Sequence, residues 1–136
     1  MRFVLLAVTL TLGLIAGPAL AQKPAKPAPT PHPGAEVYQN ICQACHMANA
    51  MGGEGAGRIP ALAKNGALEA AAYPIMVVTG GKGAMPWFRG LLTDQQIADV
   101  INYVRTNFGN KYKDKVTPAL VAELGVPAPK GGNREQ

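Results

Sequence analysis

The chain has two cysteines, separated by two residues and followed at once by a histidine: Cys42-Gln-Ala-Cys45-His46. This cluster limits the fold more than any other feature, because a small chain must either staple itself together or wrap around something. A structural zinc site needs four ligands, and only His46 and the distant His32 are there to join the thiols. A thioredoxin-like redox pair wants a βαβ setting, and no alternating strand pattern occurs here. A plain disulfide is open to an exported chain. The fourth reading, and the favoured one, is covalent attachment of haem c, for which C-x-x-C-H is the signature. Two thiols on one helical turn can each add to a vinyl group of one porphyrin, and the adjacent imidazole then lies beneath the iron as proximal ligand.

Composition agrees with that reading. Of 136 residues, 16 are Gly, and the aromatics number only 3 Phe, 4 Tyr and 1 Trp. Domains this small bury only about 60–65% of their unfolded surface, so the side chains leave the centre thin. One covalent haem c, with its iron, would fill it. A charged fraction of 15% also excludes a charge-driven disordered chain.

The rest of the chain is organised around this unit. Met1-Arg2, the apolar run Phe3–Ile15 and the small-residue end Ala19-Leu20-Ala21 describe a secretory signal peptide over 1–21. The run is shorter than the roughly 20 residues of a transmembrane span, although an uncleaved anchor is the alternative. Residues 22–33 read QKPAKPAPTPHP, an extended Pro/Ala/Lys spacer. The folded unit is expected over 34–126, and 127–136 as a flexible tail. Within the folded unit charges nearly balance. The net +5 comes mainly from Arg2, Lys23, Lys26 and the tail. No basic face with interleaved aromatics appears, which argues against nucleic-acid binding.

A haem iron held by His46 needs a soft or imidazole donor on its other side. Met47 and Met51 follow the proximal histidine too closely to reach round the ring. Met76 lies in the apolar stretch Tyr73–Thr79, where core packing is expected, and His32 lies among spacer prolines. Met85 stands in Gly80-Gly81-Lys82-Gly83-Ala84-Met85-Pro86. Glycines let backbone approach a flat ligand closely, and Pro86 stiffens the point where the sulfur must be held. Met85 is therefore the expected second axial ligand.

With these motifs in order, the chain resembles the small monohaem class I cytochromes c of bacteria. Gly34-x-x-x-Tyr38 precedes Cys42-x-x-Cys45-His46 as in the family's first helix. Ile59-Pro60-Ala61-Leu62 is similar to its proximal proline segment, which implies that the Pro60 carbonyl accepts the His46 ring N–H. Gly83-Ala84-Met85-Pro86 resembles the loop bearing the methionine ligand, and Tyr103-Val104-Arg105 the closing helix. The resemblance implies an all-α cytochrome c fold, three to four helices wrapped around the haem, with Gly34 and Tyr103 in contact where first and last helices cross. Val116-Thr117-Pro118-Ala119 points toward cytochromes serving periplasmic dehydrogenases.

Periodicity supplies the helices independently. Thr93 and Gln96 form a capping box, with Leu92 and Ile97 as hydrophobic staple. Ile97, Val100, Ile101, Val104 and Phe108 share one face, and Gly109 is expected at the C′ position. Ala35–Cys45 is a first helix, and Leu68–Val78 a middle helix that Pro74 either kinks or starts. Met47–Gly57 is expected as a loop crossing near the haem. Trp87 and Tyr73 are candidate donors to the haem propionates, and Arg58 or Arg89 candidates to neutralise them. The competing reading is that Trp87 packs on the ring and the arginines are solvated.

Together these features predict a periplasmic one-electron carrier with six-coordinate His46/Met85 haem, monomeric and not an enzyme. Its redox partners would be a periplasmic dehydrogenase or quinol-oxidising complex on one side and a terminal oxidase on the other. It would meet a membrane only through a partner or an uncleaved signal. A haem-bearing subunit of a larger dehydrogenase or oxidase is the alternative, with a small peroxidase or gas sensor behind it. Lys82 and Arg89 flank the Met85 loop as candidate steering charges.

Overall fold

The computed structural model describes residues 32–54 and 57–128. The expected signal 1–21, most of the spacer and the end of the tail lie outside them. Among the described residues four helices make up the unit, with a two-residue β-ladder between the first two.

The first helix is one continuous run of three parts: α1 (Pro33–Val37), a π turn (Tyr38–Cys42) and α2 (Gln43–His46). Pro33 suits the first turn, where its missing N–H is no loss, and His32 caps it by accepting from the Gly34 N–H at 3.1 Å. His32 and Pro33, read from sequence as the end of the spacer, thus belong to the helix. The π turn, closed by Gln43 N–H on the Tyr38 carbonyl, delivers the chain to the two cysteines.

After His46 the chain turns at Met47, and β1 (Gly53–Glu54) pairs antiparallel with β2 (Arg58–Ile59). The expected plain loop therefore closes on itself. A 3₁₀ turn (Gly66–Leu68) leads to α3 (Ala72–Gly80). Pro74 is the third residue of α3, where its N–H would have had no intrahelical partner, so it starts the helix rather than kinking it.

The long helix α4 (Asp94–Thr106) begins at the Thr93–Gln96 capping box and buries Ile97, Val100, Ile101 and Val104 as the periodicity requires. It ends earlier than the pattern suggests. Asn107 is its C-cap, Gly109 is left-handed at φ +83 one place beyond the expected C′ position, and Phe108 at C′ is left-handed too, at φ +55. A bulky residue there is strained. Offsetting contacts come from the Phe108 ring, 4.9 Å from Tyr38 and edge-on to Tyr103 at 5.5 Å.

Gly34 allows α1 to lie directly on α4, because a Cβ there would run into the Asp99 carbonyl and stand 2.8 Å from the Tyr103 Cβ. The other side of α4 is covered too, by α3 and by a fourth helix α5 (Pro118–Leu124), which sequence periodicity did not reveal. Near the end of α4 the segments around Leu68–Glu69 and Asp114 fold over Arg105, which is fully buried. Its guanidinium donates to the carbonyls of Leu68, Glu69 and Asp114 and pairs with the Asp114 carboxylate at 2.7 Å. A buried cation must be paired in this way to be tolerated. Asn102 likewise exchanges two hydrogen bonds with the Val116 backbone, fixing the chain that leads into α5.

Candidate functional site

His46 ends the first helix and is 7% exposed. Three ties orient it. Tyr38 Oη donates to the Met47 carbonyl at 2.7 Å, Gly52 N–H donates to the His46 carbonyl at 3.1 Å, and His46 Nδ1 lies 3.1 Å from the Pro60 carbonyl oxygen. Gly52, at φ +64, has no room for a Cβ, which would stand 2.8 Å from the Pro60 carbonyl oxygen. This close approach carries Pro60 to the imidazole.

A carbonyl can only accept, so His46 Nδ1 carries the ring proton and Nε2 keeps a free lone pair. Burial holds the imidazole pKa below its ordinary value, and the bond to Pro60 offsets this only in part. The ring is thus neutral at physiological pH, the form that binds metals. Tyr38 is pushed up to about 12 by burial and then by the neighbouring Cys42 and Tyr103, which keeps its hydroxyl a donor.

Cys42 is half-buried and Cys45 exposed, one helical turn apart and not bonded to each other. Burial, then the nearby Cys45, raises the Cys42 thiol to about 11. Among the described residues no group of three or more His, Cys, Asp and Glu could hold a metal ion.

Met85 closes a tight turn. Lys82 and Met85 exchange backbone hydrogen bonds at 3.0 Å in both directions, and Gly83 occupies the first central position at φ +60, a conformation glycine adopts without strain. Gly81 N–H bonds the Val77 carbonyl and Phe88 N–H the Val78 carbonyl, each at 2.9 Å, so both stems of the loop are fastened to the end of α3. Gly57 comes within van der Waals reach of Ala84, a Cβ there standing 3.9 Å from the Ala84 Cβ. The Met85 turn thereby meets the loop that leads to Pro60.

Other candidates fall differently. Met47 and Met51 are exposed, and so is Met76. The expectation that Met76 packs in the core is corrected: α3 turns Ile75 and Thr79 inward and leaves Met76 on its outer side. Arg89 is engaged by Asp94 at 3.0 Å and by the Val121 carbonyl at 3.2 Å, so its charge is already answered. Arg58 is exposed on β2. Trp87 is half-buried, and the Tyr73 hydroxyl accepts from Lys82 Nζ at 3.3 Å.

A neutral buried imidazole beside two thiols on one helix, in an all-α chain, defines a c-type haem domain. Comparison with known proteins agrees. A family model described as cytochrome C oxidase, cbb3-type, subunit III matches residues 29–104. The cytochrome c subunit of alcohol dehydrogenase (quinone) of Gluconacetobacter polyoxogenes is 35% identical over 116 residues, covering 74% of this chain and 24% of that protein. The gluconate 2-dehydrogenase cytochrome c subunit of Pantoea cypripedii is 38% identical over 105 residues, covering 67% and 23%. Cytochrome c6 of Synechococcus elongatus is 41% identical over 75 residues, covering 52% of this chain and 83% of that protein. The chain spans about a quarter of the length of the two dehydrogenase subunits. It belongs to the cytochrome c family, under the cbb3-type subunit III model, and is a small monohaem class I cytochrome c. Haem c is its cofactor.

Proposed function

We propose that the chain is a periplasmic one-electron carrier, its haem bound through Cys42 and Cys45 and its iron held by His46 and Met85. The observation that carries this reading is the His46–Pro60 pair at 3.1 Å. It fixes the tautomer with Nε2 available, and a hydrogen bond to the second ring nitrogen raises the basicity of the ligating one. When bound, the haem supplies an iron that changes oxidation state by one electron. The chain's own residues hold and shield it. Cys42 and Cys45 would anchor it to one helical turn, Pro60 keeps His46 in its tautomer, and the Met85 turn would supply the second donor, with Trp87 as a further contact.

With His46 and Met85 both bound to it, the iron would keep no open position, which suits a carrier and not a catalyst or gas sensor. Electrons would pass from a dehydrogenase or quinol-oxidising complex to an oxidase or another acceptor, through the surface around Gly80–Phe88. Export rests on the segment 1–21. A second reading is favoured by the relatives that are cytochrome c subunits of dehydrogenases. In it the chain works as a subunit of such a complex.

Met85→Ala tests the ligand set. It should abolish the sulfur-to-iron charge-transfer band of the oxidised protein and make the reduced iron bind carbon monoxide readily, while Met76→Ala leaves both unchanged. The reverse pattern would reassign the ligand. Rapid carbon monoxide binding by the wild type would favour a sensor or peroxidase.

A further inference from the structure

The C-terminal helix lies beyond the residues matched by the family model, which end at 104, yet it reaches both stems of the Met85 loop. On the first stem, Val126 N–H donates to Thr79 Oγ1 at 2.9 Å, and that hydroxyl in turn donates to the Ile75 carbonyl at 2.7 Å. The Val126 side chain also sits on Gly80, where a Cβ would stand 2.8 Å from Val126 Cγ2. On the second stem, Arg89 Nη1 donates to the Val121 carbonyl of α5 at 3.2 Å as well as to Asp94. Gly125 leaves room for the guanidinium, since a Cβ at 125 would stand 2.6 Å from Arg89 Nη1.

We propose that α5 with Gly125 and Val126 is a strap that clamps both stems of the Met85 loop, making Thr79, Arg89 and Val126 positioning residues for the distal ligand. The inference rests on the reading of Met85 as that ligand. A glycine-rich loop has many conformations in which its thioether points elsewhere, and each tie at a stem removes some of them. The fraction of molecules with the loop swung away sets how fast an outside ligand reaches the iron. Losing one such hydrogen bond should raise that fraction about fivefold.

The test uses the full-length haem-loaded protein with Thr79→Val, Thr79→Ser, Val126→Ala and Met85→Ala. Carbon monoxide binding to the reduced form is measured, together with the denaturant midpoints for loss of the charge-transfer band and for loss of helix. Thr79→Val should bind carbon monoxide about fivefold faster and lose the band well before the helices melt. Val126→Ala, at a residue 40% exposed, should do the same to a smaller extent, and Thr79→Ser should behave as wild type. A residue of merely structural value would move both midpoints together and leave the binding rate alone. That result for both Thr79→Val and Val126→Ala overturns the strap. If Met85→Ala keeps its band, the ligand reading itself is wrong, and this separate outcome overturns both.

Discussion

The two sides of the proposed haem site, His46 on one and Met85 on the other, are built by different means. The His46 side is assembled from one continuous helix and the short segment after it, and its ties to Met47, Gly52 and Pro60 span no more than 14 residues. The Met85 side has a local turn, but its stems are held by Val121 and Val126, which lie 32 and 47 residues away from their partners. A ligand fixed by local structure persists as long as its helix does. One held by distant ties opens when any of them gives, without global unfolding.

The largest effect should come from the local side. Cys42→Ser or Cys45→Ser should leave mostly unfolded, haem-poor protein, measured by circular dichroism and by haem retained after acidified organic extraction. Haem extractable from the wild type would break the comparison at its root. Next comes Gly34→Val, which drives a side chain into the Asp99 carbonyl and Tyr103. About 3 kcal/mol of stability should be lost in a denaturant titration, with the band and the helices disappearing together because the fault lies in the common frame.

A smaller and pH-dependent effect is expected at Asp114. Its hydrogen bonds to Arg105 hold the carboxyl below its ordinary value. The stabilisation is therefore complete above the unfolded value of about 3.9 and is lost as pH falls through the depressed folded value. Thermal melts of wild type and Asp114→Asn should differ near neutrality, and the gap should close in acid. A gap that widens in acid would contradict the assigned direction.

Lys82→Glu should have the smallest effect, confined to the distal side. The Lys82 ammonium lies 5.2 Å from the Tyr73 ring centre, on the loop proposed for docking. Association with an acidic partner should slow, and by less as salt rises, since screening shortens the field to about 8 Å at physiological ionic strength. The spectrum should not change. Equal rates at low salt would remove Lys82 from the docking surface.

Much of the frame was legible beforehand. Capping box, staple and apolar face gave α4 because each is a short-range pattern, and Gly34 marked a helix crossing. Helix α5 could have been found from Thr117, Pro118 and Gly125, an N-cap, a first-turn proline and a glycine just past the end. Arg105 could not. An arginine in the last turn of a helix reads as solvated, and only the loops folded over it explain why it is the largest fully buried side chain among the described residues. Met76 was misplaced for the same reason, since an apolar stretch does not say which side of its helix faces inward.

The sequence by itself pointed to haem c, with Cys42 and Cys45 as its proposed anchors and His46 as its proposed proximal ligand, because thioether spacing and the adjacent imidazole are properties of five consecutive residues. It also singled out Met85 by its glycines and proline. Only the tertiary structure decided how Pro60 reaches His46, through a close approach at Gly52, and how the Met85 loop is held, by a C-terminal segment that no local pattern connects to it. Contacts within a turn of helix are fixed by bond geometry. Contacts across 32 or 47 residues exist only once α4 has given α3 and α5 a common surface to pack on.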